Sequence, residues 1–185
     1  MRHFSRSISL TRVFHSQLAA YAAYHRDPSN CITHLIGIPL LFLAVITPLQ
    51  ALRIPLHHHY IPLAVALTLP AMALWLMLDL GVGATLVLSL CPLFVIAARI
   101  AQHGGEAMWG ITALLFVVGW IFQLAGHFIF EGRKPAFVDD LSHTLIGPMF
   151  VAAKLLVWLG LRRDLVPYLE EVQQDGRTAP FDWVR

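Results

Sequence analysis

Residues 35–98 read LIGIPLLFLAVITPLQALRIPLHHHYIPLAVALTLPAMALWLMLDLGVGATLVLSLCPLFVIAA, and the only formal charges in them are Arg53 and Asp79. These two, with the polar run His57-His58-His59-Tyr60, divide the stretch into Leu35–Leu52, Ile61–Leu78 and Leu80–Ala98. Each segment reaches the ~18–20 residues that a helix rising ~1.5 Å per residue needs to cross ~30 Å of hydrocarbon. Working outward, Ala107–Phe130 is a fourth apolar segment with no formal charge. A fifth candidate, Thr144–Leu161, carries Pro148 and Lys154 and is compatible with spanning, re-entering or lying in the interface. Pro39, Pro48, Pro62, Pro70 and Pro92 are expected to start or kink these helices. An open sheet edge cannot be satisfied in hydrocarbon, so lipid-exposed strands are excluded. The expectation is an all-α integral membrane bundle of four transmembrane helices with a fifth candidate.

Composition agrees with that fold. The chain has 185 residues, of which 57% are hydrophobic and 13% charged, with a mean hydropathy of +0.66. An ordinary soluble domain carries about 25% charged residues, so the charge here is too sparse to cover a water-facing surface. Two cysteines, Cys31 and Cys91, exclude a disulfide scaffold. The apolar content excludes disorder, and a net charge of +2 argues against nucleic acid as a partner. The length suits one membrane domain, 1–185. Within it, residues 1–17 are Arg/Ser-rich and read as an amphipathic interfacial helix or a targeting-like segment. Residues 162–185 read as a polar tail leaning on the bilayer. Ten histidines are the one excess that burial in a membrane does not explain.

A four-span hairpin sorts those histidines by side. His25, His34, His127 and His143 gather where the first span begins, whereas His57, His58, His59 and His103 fall on the opposite side. Arg2, Arg6, Arg12, Arg26, Arg133 and Lys134 lie on the His25 side, so the positive-inside rule makes it cytoplasmic. Either a bacterial inner membrane or an endoplasmic-reticulum membrane fits.

Two clusters on that side have informative spacing. In the first, Tyr21–His34, Asp27-Pro28 should end the leading helix, and Ser29 or Asn30 can cap the next. Tyr21 and His25 are then i,i+4 on one helix, Asn30 and His34 on the other, and the turn folds His25 towards His34. The second cluster is Gln123, His127 and Glu131, an i,i+4,i+8 polar stripe on an apolar helix, with Gly126 permitting close approach by another element. A lone interfacial histidine is ordinarily just an amphipathic side chain, and such a stripe can be an interhelical hydrogen-bond seam. Two His-bearing elements converging with a His-plus-carboxylate helix point instead to a metal site, and imidazole with carboxylate suits Fe or Zn. The His57-His58-His59 triplet reads as a wet loop.

These residues also carry a resemblance. Tyr-x-x-Tyr-His-x4-Asn-x3-His-x-x-Gly-x-Pro at Tyr21–Pro39 is similar to the opening motif of the fungal 2-hydroxy-fatty-acid dioxygenase family. The run Gly119–Ala136 resembles its second motif, and Leu145–Phe150 its final apolar segment. The resemblance implies a small multi-span membrane enzyme that uses Fe(II) and O2 to shorten 2-hydroxy fatty acids by one carbon. It further implies His25, His34 and His127 as iron ligands, with Glu131, Asn30, Gln123 and Tyr24 around them. Where the family often has an acidic residue, this chain has Ala153-Lys154, and no role carries over to that position. Arg26, Arg133 and Lys134 at headgroup level could attract the fatty carboxylate. Iron would act as Lewis acid, template and redox centre. A zinc-dependent membrane hydrolase, whose ligand types overlap, and a non-catalytic assembly protein are the alternatives. A transporter would need a polar path, and the first two spans offer little beyond Thr47, Gln50 and Thr68.

Overall fold

The computed structural model describes residues 9–132, 134, 135, 138 and 143–170. It is a helical bundle with one short β-hairpin. Helix α1 (Leu10–Ala22) is followed by α2 (Pro28–Ala51), strands β1 (Arg53–Leu56) and β2 (His59–Pro62), α3 (Leu63–Leu78) and α4 (Leu80–Gln102). Helix α5 (Gly105–Ala125) runs on into a π-helical turn, Gly126–Glu131. After α6 (His143–Trp158), a 3-10 turn at Arg163–Leu165 leads into α7 (Val166–Glu170).

Three of these helices are long and apolar enough to cross a membrane: α2, α4, and α5 with its π turn. Helices α3 and α6 are shorter apolar helices of 16 residues each, about 24 Å long. The second apolar segment is shortened because Ile61 and Pro62 pair into the hairpin. Its register runs from Arg53 opposite Pro62 to Leu56 opposite His59, and β1 is exposed throughout. The stretch expected as a wet loop is thus a β-hairpin, with His57 and His58 at its turn and His57 at a φ of 52°. Among the described residues the fold departs from all-α in this one element. Pro39, Pro48, Pro70 and Pro92 all lie inside continuous helices, while Pro62 precedes α3.

The turn between α1 and α2 also differs from expectation. The leading helix ends at Ala22, and the cap of α2 is Asp27, whose side chain accepts from the Ser29 N–H at 2.7 Å. Pro28 then takes the first helical position, where a missing N–H costs nothing. Ser29 and Asn30 are therefore inside the helix, and His25 is carried by a short non-helical turn.

One end of the bundle holds the larger core. Phe14, Leu18 and Tyr21 of α1 pack with Trp75 and Leu78 of α3, Val82, Leu86 and Leu90 of α4, and Met149, Phe150 and Leu156 of α6. The tail expected to be polar starts inside this core: Leu165 is fully buried, and Tyr168 stacks on His15 at 4.0 Å between ring centroids. Residues 171–185 and the start of the basic segment at 1–8 lie outside the described residues.

Candidate metal centre

The site is built from three elements that meet at that end. His25 leaves the α1–α2 turn, His34 stands two helical turns into α2, and His127 lies in the π turn ending α5. All three are buried, with relative exposures of 2%, 2% and 3%. Their ring centroids form a near-equilateral triangle: 4.8 Å from His25 to His34, 5.0 Å from His25 to His127 and 4.9 Å from His34 to His127. One nitrogen from each ring lies within 4.8 Å of the others, and this is the one group of at least three His, Cys or carboxylate ligand atoms among the described residues placed to hold an ion.

Hydrogen bonding decides the tautomers. His25 Nδ1 lies 3.0 Å from the Tyr21 carbonyl, and His34 Nδ1 lies 2.9 Å from the Asn30 carbonyl. A carbonyl only accepts, so each Nδ1 must donate. In a neutral ring the other nitrogen, Nε2, is then bare. The two Nε2 atoms nevertheless face each other at 3.3 Å. Two lone pairs at that distance repel unless a cation lies between them. Burial, and next the neighbouring His34, hold the His25 imidazole far below its ordinary pKa, so protonation is an unfavourable way to supply that cation. A metal ion is a favourable one. Two nitrogens each about 2.0–2.1 Å from one tetrahedral ion lie about 3.3–3.4 Å apart, and carbonyl-anchored Nδ1–H groups are the usual means of orienting ligand histidines. His127 stands at the third corner, and its Nδ1 is buried with no partner of its own. The donor set fits a metal of the type that takes imidazole, which includes Fe and Zn.

The polar residues expected around the histidines divide into groups. Glu131 Oε1 accepts from the Asp27 backbone N–H at 2.8 Å and from Asn30 Nδ2 at 3.0 Å. That ties the π turn to the cap of α2 and fixes Asn30, whose carbonyl holds His34. The carboxylate does not join the three-histidine group; it stands beside the imidazoles, turned to α2. The π turn explains this. It shifts the register of the stripe one helical turn before Glu131, and such turns recur at functional sites. Gln123 is buried against Gly37, and its Nε2 has no hydrogen-bond partner. Tyr24 is set against His143, at 5.7 Å between rings, and His143 itself is buried edge-on to Tyr21 at 5.4 Å. Arg26 and Lys134 are exposed at the rim, and Arg133 lies outside the described residues.

Gly126 is required by close approach. A Cβ there would strike Asn30 Oδ1 and Thr33 Oγ1 of α2, so a side chain at this position would push α5 off the helix that carries His34.

Three further contributors surround His25, and two of them, Phe150 and Lys154, have no clear signal in sequence spacing. The Tyr21 ring stacks on His25 at 4.0 Å and 10°. Phe150 covers the same imidazole from α6 at 5.3 Å. Lys154 reaches Cys31 Sγ at 2.8 Å and the His25 carbonyl at 3.4 Å, with its ammonium 4.7 Å from the Phe150 ring centre. A lysine in an apolar helix signals a buried partner, but nothing in the spacing names His25 and Cys31, 129 and 123 residues earlier.

Comparison with known proteins gives a consistent picture. Residues 11–158 match the family model described as 2-hydroxy-palmitic acid dioxygenase Mpo1-like. The chain is 30% identical over 156 residues to the 2-hydroxy-palmitic acid dioxygenase MPO1 of Saccharomyces cerevisiae, covering 84% of this chain and 86% of the yeast protein. No solved structure matches.

Proposed function

The chain belongs to the Mpo1-like family of 2-hydroxy-palmitic acid dioxygenases, and from that premise we propose that it is a membrane-embedded, Fe(II)-dependent dioxygenase that shortens 2-hydroxy fatty acids by one carbon. The observation that carries the iron is the pair of bare Nε2 atoms of His25 and His34 facing each other at 3.3 Å, with His127 closing the triangle. Fe(II), once bound, supplies Lewis acidity and the electrons with which O2 chemistry begins.

The chain's own residues do the rest. Tyr21 and Asn30 carbonyls lock the tautomers of His25 and His34, so the ligands need no rearrangement when the ion arrives. Glu131 and Asn30 hold the three elements in register. Gln123 presents a buried, unpartnered Nε2 one helical turn from His127 and is assigned to hydrogen-bond a ligand at the site. Tyr24 is assigned to the same polar margin. Arg26, Arg133 and Lys134 draw the carboxylate to this face at headgroup level. The acyl chain lies among the apolar helices, which is why the enzyme is built in a bilayer. The positive-inside rule makes the histidine face cytoplasmic, in either a bacterial inner membrane or an endoplasmic-reticulum membrane.

A second reading keeps the same ligands with a different ion. Three histidines also form the protein ligand set of some catalytic zinc sites, and zinc would make this a membrane hydrolase. The test is to supply the detergent-purified protein with Fe(II), O2 and 2-hydroxypalmitate and follow fatty acids by mass spectrometry. A fatty acid one carbon shorter is expected; its absence with iron bound and O2 present would refute the dioxygenase reading.

A further inference from the structure

Helix α6 is the segment whose route the apolar pattern leaves open, and its contacts along its length lie at one end of the bundle. Near its start, the Leu145 carbonyl accepts from the Trp75 indole N–H at 3.0 Å. Trp75 lies three residues before the end of α3. In its fourth turn, Lys154 reaches Cys31 and the His25 carbonyl beside the start of α2. Just past its end, Arg162 makes a two-pronged pair with Asp79, Nη1 to Oδ1 at 2.7 Å and Nη2 to Oδ2 at 2.9 Å. Asp79 is the junction of α3 and α4.

Trp75 and Asp79 are one helical turn apart, about 6 Å. A 16-residue helix standing across a bilayer carries its two ends about 24 Å apart along the membrane normal. One of them could then touch the α3–α4 junction, and the other would lie near the hairpin at the far end of the bundle. Instead Leu145, near the start of α6, bonds the last turn of α3, and Arg162, four residues past the end of α6, pairs with Asp79 at the junction.

Burial agrees with this. Half of the α6 residues are buried, including Met149, Phe150 and Ala153 with no exposed surface. The long spans bury 22–33% of their apolar windows and leave the rest bare, as lipid-facing helices do. Helix α6 shares one buried core with α1, α3 and α4.

We propose that α6 is not a membrane crossing but an in-plane helix that roofs the three-histidine site, leaving the chain after Trp158 on the same face as α1. The roof places Phe150 and Lys154 over His25 and screens the histidines from the aqueous phase on that face. The inference rests on the membrane reading and is independent of which metal, if any, the histidines hold.

The test is sidedness in sealed vesicles of one orientation, using a membrane-impermeant maleimide before and after permeabilisation. Single cysteines are placed at exposed positions, Ser16→Cys in α1, His58→Cys at the hairpin and Arg163→Cys after α6, in a Cys31→Ser, Cys91→Ala background. Position 163 is expected to label with position 16 and opposite to position 58. Labelling of 163 with 58 overturns the proposal, and so does labelling of 16 and 58 from one side. A charge exchange provides a measurement that needs no vesicles. Asp79→Arg and Arg162→Asp should each lower the melting temperature by several degrees, and the double exchange should be more stable than the sum of the two losses, although the Val82 N–H cap that Asp79 also provides stays lost. A double variant no better than the sum of the singles means that the two residues do not meet, which also overturns the roof.

Discussion

His25 Nε2 and His34 Nε2 face each other at 3.3 Å, each bare because its ring donates through Nδ1 to a backbone carbonyl. The arrangement is electrostatically unfavourable without an intervening cation, and the fold nevertheless holds it in a buried place. Neither carbonyl can move freely. Tyr21 belongs to the last turn of α1, and the Asn30 carbonyl also accepts from Thr33 Oγ1 at 2.7 Å.

Loss of one ring of the triangle should be decisive. His127→Ala is expected to lower metal affinity by more than about 100-fold, beyond the range of changes that only disturb ligand orientation. Insertion should survive, because the substitution makes an apolar span more apolar. His103→Ala, exposed at the far end of α4, should keep both metal and turnover. Metal content and shortened product for the two variants check this, and equal losses would contradict the placement of the site.

Asn30→Ala should weaken metal binding partially, by about 10–100-fold. Asn30 holds Glu131 by its amide, while the carbonyl that orients His34 belongs to its backbone and survives the change. Titration of the metal-free protein with Fe(II) under anaerobic conditions reads the affinity directly; complete loss would make Asn30 a ligand.

Gly126→Ala tests the packing beneath the site. The added methyl meets Asn30 Oδ1 and Thr33 Oγ1, and overpacking of this kind costs about 1–3 kcal/mol. The expected result is a lower melting temperature together with weaker metal binding, since the strain separates the helices that carry His34 and His127. Gly110→Ala, inside α5 with open space around its Cβ position, should leave metal binding unchanged and should not lower the melting temperature.

The Asp79–Arg162 pair predicts a pH dependence. Burial alone would raise the Asp79 pKa, but hydrogen bonds from Arg162 and the Val82 N–H outweigh it and the net shift is downward. A carboxyl held lower in the folded state stabilises fully above its unfolded value, about 3.9, and loses that contribution as pH falls through the folded value. The melting temperature of wild type minus that of Asp79→Asn should therefore be constant from neutral pH to about pH 5 and shrink below pH 4. A difference that grows on acidification would contradict the pair.

The sequence was legible where one physical requirement dominates. Apolar length marked α2, α4 and α5, and the spacing of Tyr21, His25, Asn30 and His34 marked the two elements that bring imidazoles together. The hairpin at Arg53–Pro62 was not legible, because Ile54, Leu56 and Ile61 look like span ends when read by hydropathy alone. Glu131 was placed on a regular stripe, and no residue pattern announces the π turn that shifts it towards Asp27 and Asn30. Lys154 was visible as an oddity in an apolar helix. Its partners, Cys31 and the His25 carbonyl, are set by tertiary packing over a long sequence separation.

The central claim is that His25, His34 and His127 hold an iron ion. It is tested most directly by purifying the protein without oxygen or chelators and measuring Fe and Zn against protein by mass spectrometry, beside a His25→Ala variant. About one iron per chain in the wild type, and none in the variant, is the predicted result. A wild-type chain that retains zinc in place of iron, or no metal at all, would contradict it.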